Sequence, residues 1–188
     1  MQSIIQWDQA LLKHINAEWH NSFWDVLLPA FRNPDTWLPL YLFLLIFVAI
    51  NYKQTRWWWI AFAFATVIIS NFISSGLIKQ NIIRLRPCND PALADWIRLF
   101  KGIYLPQSSS FTSSHAANHF AMATFFYITL SKQFKTWPVL FFVWAAGISY
   151  AQMYIGVHCP IDIFCGTVIG LTIGYFTGER FNKQYGLQ

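Results

Sequence analysis

Five apolar runs, at about residues 36–52, 57–78, 114–131, 137–155 and 160–178, leave few folds open to this chain. A helix that crosses a bilayer needs about 20 residues, because the hydrocarbon core is about 30 Å thick and each residue rises about 1.5 Å. Inside lipid, backbone polar groups must be satisfied within the segment, which favours helices. The first, third and fifth runs lie near the short end of the spanning range. Only 11% of the 188 residues are charged and 55% are hydrophobic, where a soluble domain carries about 25% charged residues. The expected fold is an all-α polytopic membrane helix bundle. It has about five transmembrane helices and forms one membrane-embedded domain over residues 1–188.

Residues 1–34 read differently. Ile4, Ile5, Leu11, Leu12 and Ile15 recur at roughly helical spacing, with Asp8, Lys13 and Asn16 between them. That pattern predicts an amphipathic helix lying in the membrane interface, with Trp7, Trp19 and Trp24 at the headgroup level. The first twenty residues have neither a basic head nor an unbroken apolar stretch, so no cleavable leader is expected.

The short connections orient the bundle. Lys53 and Arg56, Lys132 and Lys135, and Arg180 and Lys183 fall on one side if all five runs span. The positive-inside rule makes that side cytoplasmic. The net charge of +5 is then a matter of topology, and no nucleic-acid partner is implied. The loop 79–114 and the turn around His158 are expected outside the cytoplasm, at an inner or plasma membrane. Lys79, Arg84, Arg86, Arg98 and Lys101 sit there against the charge preference, which points to a task. The stretch "DWIRLFKGIY" (95–104) is expected to form a short amphipathic piece beside the site. Cys88, Cys159 and Cys165 lack the spacing of a disulfide scaffold or a structural zinc site. Free thiols are the simpler reading, and a single Cys88–Cys159 bridge stays open.

Three clusters meet at that outer depth: "KQNIIRLRP" with Lys79 and Arg86, "TSSH" with Ser113, Ser114 and His115, and His158 with Asp162. Fixed cations and a serine-rich helix start attract a phosphate. Two histidines on different spans can divide the work of nucleophile and general acid. Asp162 can hold one imidazole in the correct tautomer. Pro160 suits the first turn of a helix, so His158 precedes that helix and Asp162 lies within reach of it.

These residues resemble the motifs of the type 2 phosphatidic acid phosphatase family of membrane lipid phosphatases. The first motif, Lys, six residues, Arg-Pro, is complete at Lys79, Arg86 and Pro87. The second, Pro-Ser-Gly-His, is met at Ser113 and His115, with Thr112 and Ser114 replacing its Pro and Gly. The third, Ser-Arg, five residues, His, three residues, Asp, is met at His158 and Asp162, with Ala151 and Gln152 in place of Ser-Arg. The resemblance implies that His158 attacks phosphorus, Asp162 orients it and His115 protonates the leaving oxygen. Lys79, Arg86, Ser113, Ser114 and Gln152 would hold the phosphoryl oxygens, with no metal and no cofactor. Gln152 carries one charge less than the motif, and Arg84 is the neighbour expected to compensate.

The implied partners are the bilayer and a lipid phosphate substrate: undecaprenyl diphosphate in first place, phosphatidylglycerol phosphate or phosphatidic acid as alternatives. Two other classes stay open. One is a non-catalytic lipid-phosphate binder, in which Gln152 marks lost chemistry. The other is an intramembrane metalloenzyme built on the pair His115 and His119 with His158 and Asp162, although the Glu of an HExxH pattern is missing.

Overall fold

Helix follows the apolar runs in the computed structural model, which describes residues 2–188. Two helices, α1 (Gln2–Lys13) and α2 (Ser22–Arg32), precede the first run. Then come α3 (Leu38–Asn51) and α4 (Arg56–Asn71), the latter carried on by a wider-wound stretch, Phe72–Ile78, and a last turn, Lys79–Asn81. After a long irregular connection follow α5 (Ser114–Phe134), α6 (Leu140–Tyr154) and α7 (Pro160–Gln184). The described residues form no strand.

Three segments are both long and apolar enough to cross a membrane: Pro34–Asn51, Arg56–Asn81 and Pro160–Gln184. Helices α5 and α6 stand where the other two runs were expected, but α6 is shorter and α5 is more polar. Their position explains this. Ala116, Ala117, Ala121, Ala123, Phe125 and Phe126 of α5 are buried against other helices, so that helix need not be apolar toward lipid all round.

Helix α5 packs most extensively against α7. Gly166, Gly170, Gly174 and Gly178 form a stripe along the contact. A Cβ at Gly166 would stand 2.5 Å from Ser113 O, and one at Gly170 would run into the carbonyl of Ala117. The missing side chains let the two backbones meet, the usual device where lipid supplies no hydrophobic drive between helices. Interhelical hydrogen bonds add to it: Trp59 Nε1 donates to Thr129 Oγ1 (3.0 Å), and Thr66 Oγ1 lies 2.8 Å from Thr177 Oγ1. Trp59 is therefore a core residue, while Trp57 and Trp58 stay exposed.

The ends of the bundle separate as the charges predict. At one end, Trp58 stacks on Tyr185, Phe47 packs on Phe134, and the backbone N–H of Gln188 reaches Thr55 Oγ1. This gathers the three basic connections. The loop after Asn81 and the turn before α7 share the opposite end.

The N-terminal segment is two helices rather than one. Asn21 starts α2 by accepting from the backbone N–H of Trp24 (3.0 Å). The segment's apolar residues divide between the bundle and the outside. Leu12 and Ile15 are buried, but Ile4 and Ile5 face outward and Asp8 is only 1% exposed. Asp8 turns inward because partners wait there: Arg84 Nη2 (2.5 Å) and the backbone N–H of Ile161 (2.8 Å). Residues 95–104 form turns and irregular chain. Asn16 and Asp25 hold this stretch: Asn16 Oδ1 accepts from Arg98 N–H (2.7 Å), and Arg98 Nη1 donates to Asp25 (2.8 Å). All three cysteines are free.

Candidate active site

Helix α7 begins in an orderly way. Pro160 occupies the first turn, and Asp162 Oδ2 accepts from the backbone N–H of Cys159 at 2.9 Å. This cap leaves His158 just ahead of the helix, with Nδ1 at 3.6 Å from Asp162 Oδ2. That is an ion-pair separation rather than a hydrogen bond. Ser110 stands between them. Its hydroxyl donates to Asp162 Oδ2 at 2.5 Å and lies 3.4 Å from His158 Nδ1.

Ser110 arrives from the long connection, which folds back on itself. The Ser110 N–H donates to Arg84 O (2.8 Å) and the Arg84 N–H to Ser109 Oγ (3.1 Å). The same fold-back brings Arg86 to His158. Arg86 donates to Ser108 O (2.9 Å) and Val157 O (3.2 Å), and its Nη1 lies 3.0 Å from His158 Nε2. A guanidinium has no acceptor. We therefore assign the lone pair to Nε2 and the proton to Nδ1, the nitrogen that faces Ser110 and Asp162.

His158 is 1% exposed. Burial depresses its pKa, Asp162 opposes the shift, and the charges of Arg86 and Lys79 reinforce it, leaving it at about 4. The imidazole is neutral at neutral pH. Burial also lowers the pKa of Arg86, but a guanidinium starts too high for this to remove its charge.

His115 sits in the first turn of α5, within coulombic range of Lys79, His158 and Arg32. Lys79 has neither a hydrogen-bond partner nor an acid within ion-pair distance among the described residues. The expected Lys79, Arg86, His115, His158 and Asp162 are thus assembled around one place. The two serines are engaged otherwise. Ser113 caps α5 through Ala116 N–H (3.3 Å), and Ser114 Oγ lies 2.6 Å from Ser75 Oγ. What that helix start still offers is backbone N–H groups.

Two expectations are corrected. Arg84 does not compensate for Gln152, because it is spent on two carboxylates: Nη1 donates to Asp162 Oδ1 (2.6 Å) and Nη2 to Asp8 Oδ2 (2.5 Å). Gln152 itself lies at the site end of α6 and accepts from Arg32 Nε at 3.1 Å. His119 is occupied in packing: Nδ1 meets His115 O at 2.8 Å and the ring stands edge-on to Trp144. Among the described residues no three His, Cys, Asp or Glu side chains are grouped closely enough to hold a metal ion.

Ser110, Asp8 and Arg32 escaped the sequence reading. Ser110 belongs to a run of three serines with no feature to single it out. Asp8 reads as one polar position of the amphipathic pattern, and nothing in the sequence singles out Arg32.

A neutral imidazole beside a fixed guanidinium, with a second histidine and a lysine within coulombic range, is an arrangement suited to phosphoryl transfer in a helical membrane scaffold. The comparisons agree. A family model described as the PAP2 superfamily matches residues 56–185, and the chain belongs to that superfamily. The lipid A 4'-phosphatase of Bacteroides thetaiotaomicron is 30% identical over 170 residues, covering 87% of this chain and 72% of that protein. The undecaprenyl-diphosphatase of Sulfolobus acidocaldarius is 26% identical over 153 residues, covering 81% and 66%. The crystal structure of Aquifex aeolicus LpxE superposes with a TM-score of 0.68 at 25% identity, covering 91% of this chain and 94% of that one. The PAP2 type phosphatidylglycerolphosphate phosphatase of Bacillus subtilis gives the same TM-score at 18% identity, covering 98% and 89%, and attests the fold. The protein is an integral membrane phosphatase.

Proposed function

We propose that this protein hydrolyses the phosphate of a membrane lipid through a phosphohistidine on His158. The observation that carries the reading is the pairing of His158 Nε2 with Arg86 at 3.0 Å, while Nδ1 is turned to Ser110 and Asp162. The attacking nitrogen keeps its lone pair, and a cation already marks where the phosphoryl oxygens would rest. His158 Nε2 forms the P–N bond as the P–O bond to the lipid breaks. His115 gives its proton to the departing lipid oxygen. Asp162 offsets the positive charge that grows on the imidazole. Water, deprotonated by His115, then attacks phosphorus and releases inorganic phosphate and neutral His158. Lys79, Arg86 and the first amides of α5 would bear the charge on the equatorial oxygens.

An apolar cleft of about 400 Å³ is lined by Tyr41, Leu44, Ala63, Val67, His119 and Met122. It opens between α3, α4 and α5, with Asn118 and His119 one turn beyond His115. That position suits lipid tails approaching from the side while the headgroup reaches the histidines. The basic connections at the far end support a site facing away from the cytoplasm.

For the substrate, the relative with 30% identity over most of the chain favours a phosphorylated glycolipid of the lipid A type. Undecaprenyl diphosphate, preferred on the sequence alone, is the second reading, and the 26% relative favours it. The test is phosphate release by the purified protein from lipid A, undecaprenyl diphosphate, phosphatidylglycerol phosphate and phosphatidic acid, with and without chelator. Wild type should release phosphate regardless of chelator, His158→Ala should not, and a quenched reaction should yield acid-labile phosphoprotein. Wild-type rates in His158→Ala would overturn the nucleophile. Binding without release in the wild type would point to the non-catalytic binder, and loss of turnover in chelator to the metalloenzyme.

A further inference from the structure

The third motif leaves the phosphate pocket one arginine short, because Gln152 stands in that place on α6. Gln152 is completely buried. Its Oε1 accepts from Arg32 Nε at 3.1 Å, and its Nε2 has no hydrogen-bond partner. Arg32 is the last residue of α2, far away in sequence.

The three other arginines at this end already have partners on this chain. Arg84 bridges Asp8 and Asp162, Arg98 pairs with Asp25, and Arg86 is held by Ser108, Ser109, Val157 and His158. Arg32 is different. It is half-buried, no carboxylate lies within ion-pair distance, and its terminal nitrogens donate to nothing among the described residues. Burial and the neighbouring charge of Arg86 both disfavour its cationic form, yet a guanidinium stays charged. His115 also lies within its coulombic range. A half-buried guanidinium held by one carboxamide oxygen, with no carboxylate beside it, is an arrangement that a bound anion would relieve.

We propose that Arg32 is a phosphate-binding residue of this enzyme, aimed by Gln152 Oε1 and supplying from α2 the guanidinium that α6 lacks. The proposal rests on the phosphatase reading above. It also gives a reason for glutamine at 152: a carboxamide oxygen can accept from Arg32, whereas an arginine there would oppose it charge to charge.

The test uses the full chain in detergent with two probes, phosphate release from the lipid phosphate that wild type turns over best and inhibition by orthovanadate. One charge-assisted hydrogen bond corresponds to roughly tenfold to over a hundredfold in rate. Arg32→Gln should lose about that much in kcat/KM and weaken vanadate inhibition in parallel. Arg32→Lys should recover only part, because it keeps the charge and loses the fork. The exchange Arg32→Gln with Gln152→Arg should regain rate and vanadate affinity over Arg32→Gln alone, a rescue that a packing role would not give. Wild-type kcat/KM and vanadate inhibition in Arg32→Gln would overturn the proposal. So would a loss that the exchange fails to recover and that tracks a fall in melting temperature. Should wild type neither release phosphate nor respond to vanadate, the phosphatase reading falls first and this one with it.

Discussion

Arg84 grips Asp162 from the side opposite His158: Nη1 lies 2.6 Å from Oδ1, while Oδ2 is left to Ser110 and the Cys159 amide. The other half of the guanidinium holds Asp8. A carboxylate buried to this degree is costly unless each oxygen is paired, and here both are. Burial opposes the charge on Arg84, but Asp162 and Asp8 outweigh it and hold its pKa above the ordinary value. The triad Asp8–Arg84–Asp162 links the N-terminal helix to the mouth of α7, so α1 is part of the site's support.

Removing the bridge should therefore unfold more than it inactivates. Arg84→Ala leaves two buried carboxylates facing each other, and breaking a buried pair in this way costs about 3–5 kcal/mol. Thermal unfolding in detergent should show a marked drop. Asp8→Asn should cost less, since the amide oxygen still accepts from Ile161 N–H and Arg84 keeps Asp162. An unchanged melting temperature in Arg84→Ala would show that the triad bears no load.

Ser110 carries a milder prediction. Ser110→Ala removes one of the three donors on Asp162, leaving Arg84 and the Cys159 amide. A hydrogen bond to a charged group contributes about 1.5–3 kcal/mol. We expect kcat to fall by about tenfold or more with KM little changed, because Ser110 contacts the acid and the imidazole rather than the phosphate. Steady-state kinetics of phosphate release decides it. A rise in KM at constant kcat would place Ser110 on the substrate instead.

The pH dependence follows from the burial of His158. In the proposed mechanism the nucleophile is the neutral imidazole, and its pKa lies below the ordinary value, at about 4. The active fraction is therefore complete at neutral pH and is lost as pH falls through about 4. The acid limb of kcat/KM reports the free enzyme and should stand near that value rather than near 6.5. A limb at 6.5 belonging to this group would mean that His158 meets water before substrate arrives.

The glycine stripe predicts a packing defect away from the chemistry. Gly170→Ala places a methyl group against the carbonyl of Ala117, and overpacking of this kind costs about 1–3 kcal/mol. The melting temperature should fall, and phosphate release should fall with it, because α5 carries His115 and α7 positions His158. The same substitution at Gly102, where an added Cβ meets nothing within 4 Å, should disturb far less, although its positive φ of 76° carries some strain. Equal effects at the two positions would deny the close approach.

The order of residues alone was enough for the class of fold and for most of the candidate site. Lipid admits only segments that satisfy their own backbone, so five apolar runs imply helices wherever they pack. Arg86, His115, His158 and Asp162 were legible because each sits beside a helix start or a proline, where local geometry is nearly fixed by the chain, and Lys79 because it closes a long apolar helix. Asp162 could be placed near His158 from the Pro160 turn alone. Tertiary structure decided the rest. Asp8 turned inward rather than to the solvated face because Arg84, 76 positions away, compensates its charge. Ser110 reached Asp162 only through a fold-back of the long connection. Arg32 met Gln152 across 120 positions. Charge compensation inside a low-dielectric bundle depends on which side chains become neighbours in space, and no local periodicity records that.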